Sequence, residues 1–268
     1  MRKYLHVLGL GVQNTLVYRL NFLFRATLGL VPLMGTLFVW QAVYAGQGET
    51  ARVGAYTLGE MISYYLLVTL VDALTAVAED DWQIAADIKD GRISSFLLQP
   101  VDYLTYRFCL YLSGRAVYTT VALVPVSLFL LHQRQHLVLP PDAWTAAAAG
   151  ISVVMAAGLQ FLTAYTMALL AFWVLDVSTF IFIQFAFEYL ASGHLFPFDV
   201  LPPAAARAIQ LTPYPYMLYF PVSVGLGRVR GDALWQGLLV QAAWVVVAFG
   251  LARWMWHRGV RRYAAVGG

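Results

Sequence analysis

The run ATLGLVPLMGTLFVWQAVYAGQG, residues 26–48, contains no charged side chain. About 18 or more consecutive apolar residues are what an α-helix needs to cross the roughly 30 Å hydrocarbon core of a bilayer. Three more uncharged runs follow, at 116–133, 143–175 and 233–252. Two further segments, 53–78 and 177–193, are long and mostly apolar but carry Glu60 and Asp72 in the first and Glu188 in the second. Composition agrees, with 60% hydrophobic and only 12% charged residues, where a soluble domain has about a quarter charged. The pattern predicts an all-α membrane protein with six transmembrane helices, at about 24–45, 54–78, 108–132, 144–173, 176–191 and 232–256, in a single transmembrane domain.

Lys and Arg accumulate on the cytoplasmic side of membrane proteins. With both termini cytoplasmic, only Arg52, Arg134, Arg207, Arg228 and Arg230 fall outside, and the other basic residues fall inside. The net charge of +3 is thus a topology signal, and no nucleic-acid partner is expected. Trp40, Trp144 and Trp235 would then sit near the outer interface, with Trp82, Trp173, Trp254 and Trp256 near the inner one. Gln13, Asn14 and Arg19 interrupt the first apolar stretch, so a cleaved signal peptide is not expected. The single cysteine, Cys109, has no partner for an internal disulfide.

Three stretches are not simple spans or links. Residues 3–19 place Leu5, Leu8, Val12 and Leu16 on one helical face, which predicts an interfacial helix. The segment 79–101 and its continuation to Arg107, EDDWQIAADIKDGRISSFLLQPVDYLTYR, is charged yet amphipathic through Trp82, Ile84, Ile88, Ile93, Phe96 and Leu97; it reads as short helices broken at Asp90-Gly91. The region 192–222 holds Pro197, Pro202, Pro203, Pro213, Pro215 and Pro221, more than half of the eleven prolines. It is too apolar for a solvated loop and too rich in proline for a straight helix. Irregular backbone at membrane depth is tolerated only where protein or a water-filled cavity covers it, so a re-entrant outer hairpin is expected, reversing at Ser192-Gly193.

Catalytic and cofactor signatures are missing. A nucleotide-binding P-loop needs Lys before Ser or Thr, whereas Lys3 precedes Tyr4 and Lys89 precedes Asp90. No cofactor bound by this chain, no metal and no catalytic residue are expected. His132 and His136, at i,i+4 in a proline-bounded loop, do not make a metal site.

At its two unusual connections the sequence resembles the permease subunits of ABC-2 type exporters. The resemblance lies in IKDGRISSFLLQP between spans two and three, and in SGHLFPFDVLPP followed by TPYPYMLYFP between spans five and six. It extends over essentially the whole chain and is closest to the short six-span branch encoded with a separate ATPase. It implies residence in the bacterial inner membrane, two copies of an ABC ATPase that bind ATP and Mg, and a second permease subunit, identical or paralogous. The chain would then contact membrane lipid and an unknown exported substrate. It also implies that the 79–101 segment docks on the ATPase, through Glu79, Asp80, Asp81, Trp82, Asp87, Lys89, Asp90 and Arg92. Together with Asp102, the acids of this stretch outnumber Lys89, Arg92 and Arg107, an unusual balance for an inner loop that implies a basic docking groove.

Acids within spans ordinarily face a bundle interior or cavity. Glu60 and Asp72, twelve residues apart on one side of a helix, and Glu188, with His194 near it, are therefore candidate substrate-pathway residues; headgroup contact or a structural hydrogen bond would equally account for them. Phe196, Phe198, Tyr214 and Tyr216, with Tyr219 and Phe220, form either an outer hydrophobic gate or an interfacial plug. The alternative to an ATP-driven exporter is an ion-coupled secondary transporter that works without an ATPase.

Overall fold

The computed structural model describes residues 2–46, 52–77, 80–138 and 140–263, with Asp80 in its backbone only. In chain order the helices are α1 (Arg2–Leu16), α2 (Arg19–Tyr44), α3 (Leu58–Thr75), α4 (Asp80–Lys89), α5 (Ile93–Leu97), α6 (Tyr103–His132), α7 (Ala143–Ala168), α8 (Ser178–Ala191), α9 (Pro203–Gln210), α10 (Tyr219–Gly225) and α11 (Gly231–Arg262). Among the described residues the only β pairing is an isolated bridge between Val53 and Tyr56. Five helices are long and apolar enough to cross a membrane: α2, α3, α6, α7 with its 3-10 extension to Phe172, and α11. The sixth expected span falls on α8, which has 14 residues. At 1.5 Å per residue that is about 21 Å, short of the roughly 30 Å hydrocarbon core.

Side-chain caps explain where several helices start. Thr57 accepts from the Glu60 backbone N–H while Glu60 accepts from that of Thr57, a reciprocal capping box that opens α3. Asp102 accepts from the Thr105 N–H at 3.0 Å and starts α6 at Tyr103, about five residues before the expected span. Asp142 caps α7 in the same way through Thr145 at 2.7 Å.

Burial separates central from peripheral helices. The most apolar windows of α3 and α7 are 50% buried, while those of α2, α6 and α11 are 17% buried. The first pair is therefore the core, and the others turn most of their surface outward. One end of the bundle gathers the Thr75 end of α3, the Tyr103 end of α6 and the Arg262 end of α11, together with α1, α4 and α5. There Ser113 Oγ donates to Leu8 O at 3.0 Å, Lys3 reaches Pro100 O, and the Asp102 N–H donates to Tyr4 Oη at 3.1 Å. At the other end Ser63 donates to His136 O, and Arg228 donates to Ala55 O at 3.3 Å.

Beyond α8 the chain runs through a turn and bends to a short 3-10 helix at Phe198–Val200 before α9. Tyr64 Oη donates to Gly193 O at 2.6 Å, Tyr65 Oη to Leu195 O at 2.5 Å, and Tyr56 Oη to Asp199 at 2.8 Å. Residues 193–199 thus climb alongside α3 toward its Leu58 end, with α3 tyrosines pairing their carbonyls. After α9 the chain comes back to the α8 terminus, where Tyr214 Oη donates to Gln184 at 2.9 Å and the Tyr219 N–H to Ser192 O at 2.9 Å. Helix α10 then leads to Arg228, 3.5 Å from Glu60. The segment from α8 to Arg228 is therefore a hairpin folded against α3.

Gly193 makes the turn out of α8 feasible, but the chain does not reverse at Ser192-Gly193 as the sequence suggests: it keeps its course toward the Leu58 end of α3 and returns only after α9. Its φ is +99°, and a Cβ there would meet Tyr64 Oη at 2.6 Å. Replacing Gly193 with Ala combines left-handed strain with a clash and is expected to cost about 2–4 kcal/mol, read as a lower thermal-unfolding midpoint of the purified protein in detergent. An unchanged midpoint would show that the hairpin does not hold this conformation.

Candidate functional site

Two polar features stand apart from the apolar packing. The first is the α4–α5 elbow. Ile84, Ala85, Ile88 and Ile93 are buried in one cluster with Tyr103 and Leu104 of α6, Phe161 and Tyr165 of α7, and Met255 of α11. Gly91, at φ +75°, provides the break between the two short helices, where the sequence places it. Ser94 Oγ and Tyr263 Oη lie 3.0 Å apart and join α5 to the end of α11.

At the base of the elbow lies a buried ion pair. Arg107 on α6 binds Asp87 on α4, and the Tyr103 hydroxyl donates to the same carboxylate at 2.7 Å. The guanidinium also donates to Tyr103 Oη at 3.0 Å and to the Gln83 side chain and backbone, each at 3.3 Å. The Tyr103 ring stacks on Trp256 at 5.0 Å. Arg92 adds a second cation 3.5 Å from Asp87 and pairs with Asp90 at 2.9 Å. Arg253 pairs with Asp102. Burial pushes the Asp102 carboxyl up, but Thr105 and Arg253 outweigh it and hold the group below the usual carboxylate range.

These pairs change the reading of the acidic segment. Asp87 and Asp102 are neutralised within the chain and do not present bare charge to a partner, while Asp90 shares Arg92 in an exposed pair. Asp81 accepts from the Trp82 N–H at 2.8 Å, and Glu79 lies outside the described residues. What the elbow exposes is Trp82, 48% accessible, with Lys89, Asp90 and Arg92. Trp82, Gln83, Ala86, Asp87, Arg92 and Arg107 line an open recess of about 470 Å³.

The second feature is a cleft of about 220 Å³ between α3, α7 and α8, lined by Asp72, Asp81, Gln160, Gln184, Glu188 and His194 among others. His194 Nδ1 lies 2.7 Å from Ser192 Oγ, its Nε2 lies 3.3 Å from Asp72, and its ring stacks on Tyr189 at 5.0 Å. Asp72, Tyr189 and His194 also line a neighbouring cleft toward α2 and α6. The structure thus brings Asp72, Glu188 and His194 together. Glu60 is elsewhere, capping α3 about 18 Å up the helix by its twelve-residue rise and facing Arg228.

The aromatic candidates divide. Phe198 is buried against Tyr219 at 4.8 Å, and Tyr216 packs on Phe220 at 5.7 Å. Both are hairpin packing, and Phe196 is half-buried. Tyr214 reaches the cleft wall through Gln184. Sequence reasoning missed Arg107, Tyr103 and Gln184. Their only trace was spacing: Tyr103 and Arg107 one turn apart where an apolar helix begins, and Gln184 one turn before Glu188.

Bilayer-length helices around a polar cleft, with a folded elbow locked to one end of the bundle, define a membrane component of a transport system. The chain belongs to the ABC-2 transporter family: the family model described as ABC-2 family transporter protein matches residues 30–267. It is accordingly an ABC transporter permease, a membrane transport component from a family whose members generally associate with an ABC ATPase and are themselves non-catalytic. No curated protein matches it.

Removing one partner of a buried ion pair strands the other charge, at about 3–5 kcal/mol. Arg107→Ala is therefore expected to lower the thermal-unfolding midpoint far more than Arg92→Ala, whose side chain is 57% exposed. Arg107→Lys should rescue only part of the loss, since an ammonium cannot span Asp87, Tyr103 and Gln83 together. Equal midpoints for the Arg107 and Arg92 variants would refute the lock.

Proposed function

We propose that this chain is the permease subunit of an ATP-driven ABC-2 type exporter, pairing with a second permease, identical or paralogous, above two copies of a separate ATPase that bind ATP and Mg. In this reading α4 and α5 are the coupling element and α1 is the interfacial helix bracing it. Both termini are cytoplasmic, in the inner membrane of a bacterium. Helix α8 and the irregular segment 193–199 together make the sixth crossing, and the hairpin from α9 to α10 is the re-entrant outer region. The cleft at Asp72, Glu188 and His194 lies on the substrate pathway.

The observation that carries this reading is the attachment of the elbow. A contact that takes up force from a motor must be exposed on one face and fastened on the other. Trp82 projects from α4, while Ile84, Asp87 and Ile88 on the opposite side are packed and ion-paired to α6 and α7. Displacement of α4 by an ATPase would therefore be passed to the central helix α7 and to α6 rather than absorbed in a loop. With three of the acids internally paired, recognition falls mainly on Trp82 and its neighbours, because large aromatic side chains dominate interface energies.

Trp82→Ala is expected to weaken co-purification of the neighbouring-gene ATPase by about 2 kcal/mol or more, and Lys89→Glu to weaken it less, neither changing the thermal-unfolding midpoint of the permease alone. Retained ATPase binding and substrate-stimulated hydrolysis in Trp82→Ala would reject α4 as the docking element. Transport by the purified chain in liposomes, driven by an ion gradient with no nucleotide, would instead establish the secondary-transporter alternative.

A further inference from the structure

Asp72 and Glu188 line the cleft between α3 and α8 together with Asp81, which already accepts from the Trp82 N–H; the described lining adds one imidazole and no Lys or Arg. Among the other acids Asp87, Asp102 and Glu60 are matched by Arg107, Arg253 and Arg228, whereas Asp142, Asp176 and Asp199 are held by the hydroxyls of Thr145, Ser178 and Tyr56. Within the cleft lining His194 alone is basic, and its two nitrogens are already divided between Ser192 and Asp72. Ionisable groups at membrane depth are costly and are retained next to partners or along cargo routes.

An independent observation concerns Gln184. It is only 8% exposed, its Oε1 accepts from Tyr214 at 2.9 Å, and its Nε2 has no hydrogen-bond partner. Glu188, one turn along α8, is near enough for its carboxylate to take a hydrogen bond from the amide, though none of normal geometry forms among the described residues. Leaving such a group unpaired costs about 1–3 kcal/mol. Turning the amide over would satisfy Tyr214 with the nitrogen and strand the oxygen instead, so one polar atom of Gln184 is left over in either orientation. Phe185 and Tyr189 line the same cleft and are largely exposed along α8, so the polar pocket runs into an apolar surface.

We propose that this cleft binds the head of a lipophilic amine, with the ammonium between Asp72 and Glu188, an adjacent hydroxyl or carbonyl on Gln184, and the hydrocarbon along Phe185 and Tyr189. The inference rests on the permease reading and deepens it by naming a cargo class. Anionic lipids and phosphorylated glycans are disfavoured, because their charge would meet carboxylates without a compensating Lys or Arg.

The test is direct binding to the full chain in nanodiscs of zwitterionic lipid, with empty nanodiscs correcting for partition. The probes are N-dodecylethanolamine, dodecylamine and dodecanoate at neutral pH. Both amines should bind saturably, N-dodecylethanolamine more tightly, and dodecanoate should not exceed partition. Glu188→Gln and Asp72→Asn should each weaken amine binding about tenfold or more, as loss of a charge-assisted contact implies. Gln184→Leu should remove only the advantage of N-dodecylethanolamine over dodecylamine. Dodecanoate binding as tightly as the amines, a comparison that needs no variant, would overturn the inference; so would unchanged amine affinity in a monodisperse Glu188→Gln protein. A complex that couples ATP hydrolysis to transport yet binds neither amine sinks the inference and leaves the permease reading standing. Amine binding by a chain that transports without any ATPase keeps the site and sinks that reading.

Discussion

In hydrocarbon no water is at hand to pair a bare carbonyl, so a chain that leaves its helix part-way must find protein donors. Helix α8 stops after 14 residues, and Tyr64 and Tyr65 supply the donors to Gly193 and Leu195. Much of the architecture follows from that requirement. Helix α3 has to be central, because it presents tyrosines to this irregular segment; Gly193 has to be glycine, because Tyr64 occupies the space of a side chain. The hairpin has to return to the same place, where the Tyr219 N–H caps Ser192 O. Gln160 and Gln241 serve the same need on the far side, donating to the carbonyls of Met217 at 3.3 Å and Tyr216 at 2.8 Å.

The elbow meets the same problem with charges. Burying Asp87 or Arg107 alone would be prohibitive, and a hydrophobic pair of similar volume would be no less stable. What the ion pair adds is directional attachment: Arg107 grips Gln83 and Asp87 on α4 and Tyr103 on its own helix at once. A greasy contact alone would hold α4 against α6 yet permit it to slide. For an element proposed to transmit displacement, a fixed register between α4 and α6 is the useful property.

Much of this was legible in the sequence, and the reasons it was or was not are local. Uncharged runs mark α2, α6, α7 and α11 because bilayer thickness is a length constraint that composition reveals directly. Helix ends were less legible: α6 begins at Tyr103 because Asp102 caps it, a contact that hydropathy does not register. The Asp90-Gly91 break was readable because positive φ is a demand that glycine meets; Ser192-Gly193 marked a turn for the same reason, but the chain returns only after α9. The acidic excess of the elbow misled, since the arginines that cancel Asp87 and Asp102 lie 20 residues away on α6 and 151 away on α11. Pairing across such separations has no periodic signature. Glu60 was grouped with Asp72 by helical spacing alone, and spacing cannot distinguish a capping carboxylate at a helix start from one facing a cleft.

The short α8 also explains why a polar cleft exists where it does. Because the chain turns at Ser192, His194 swings back beside Asp72 while Glu188 and Gln184 stay on the last turns of α8. The cost of ending a helix at membrane depth is thus offset by the α3 tyrosines, and the vacancy that ending creates is filled with groups able to recognise a polar head. Backbone satisfaction and candidate cargo recognition are, on this view, two consequences of one structural decision: the place where α8 stops.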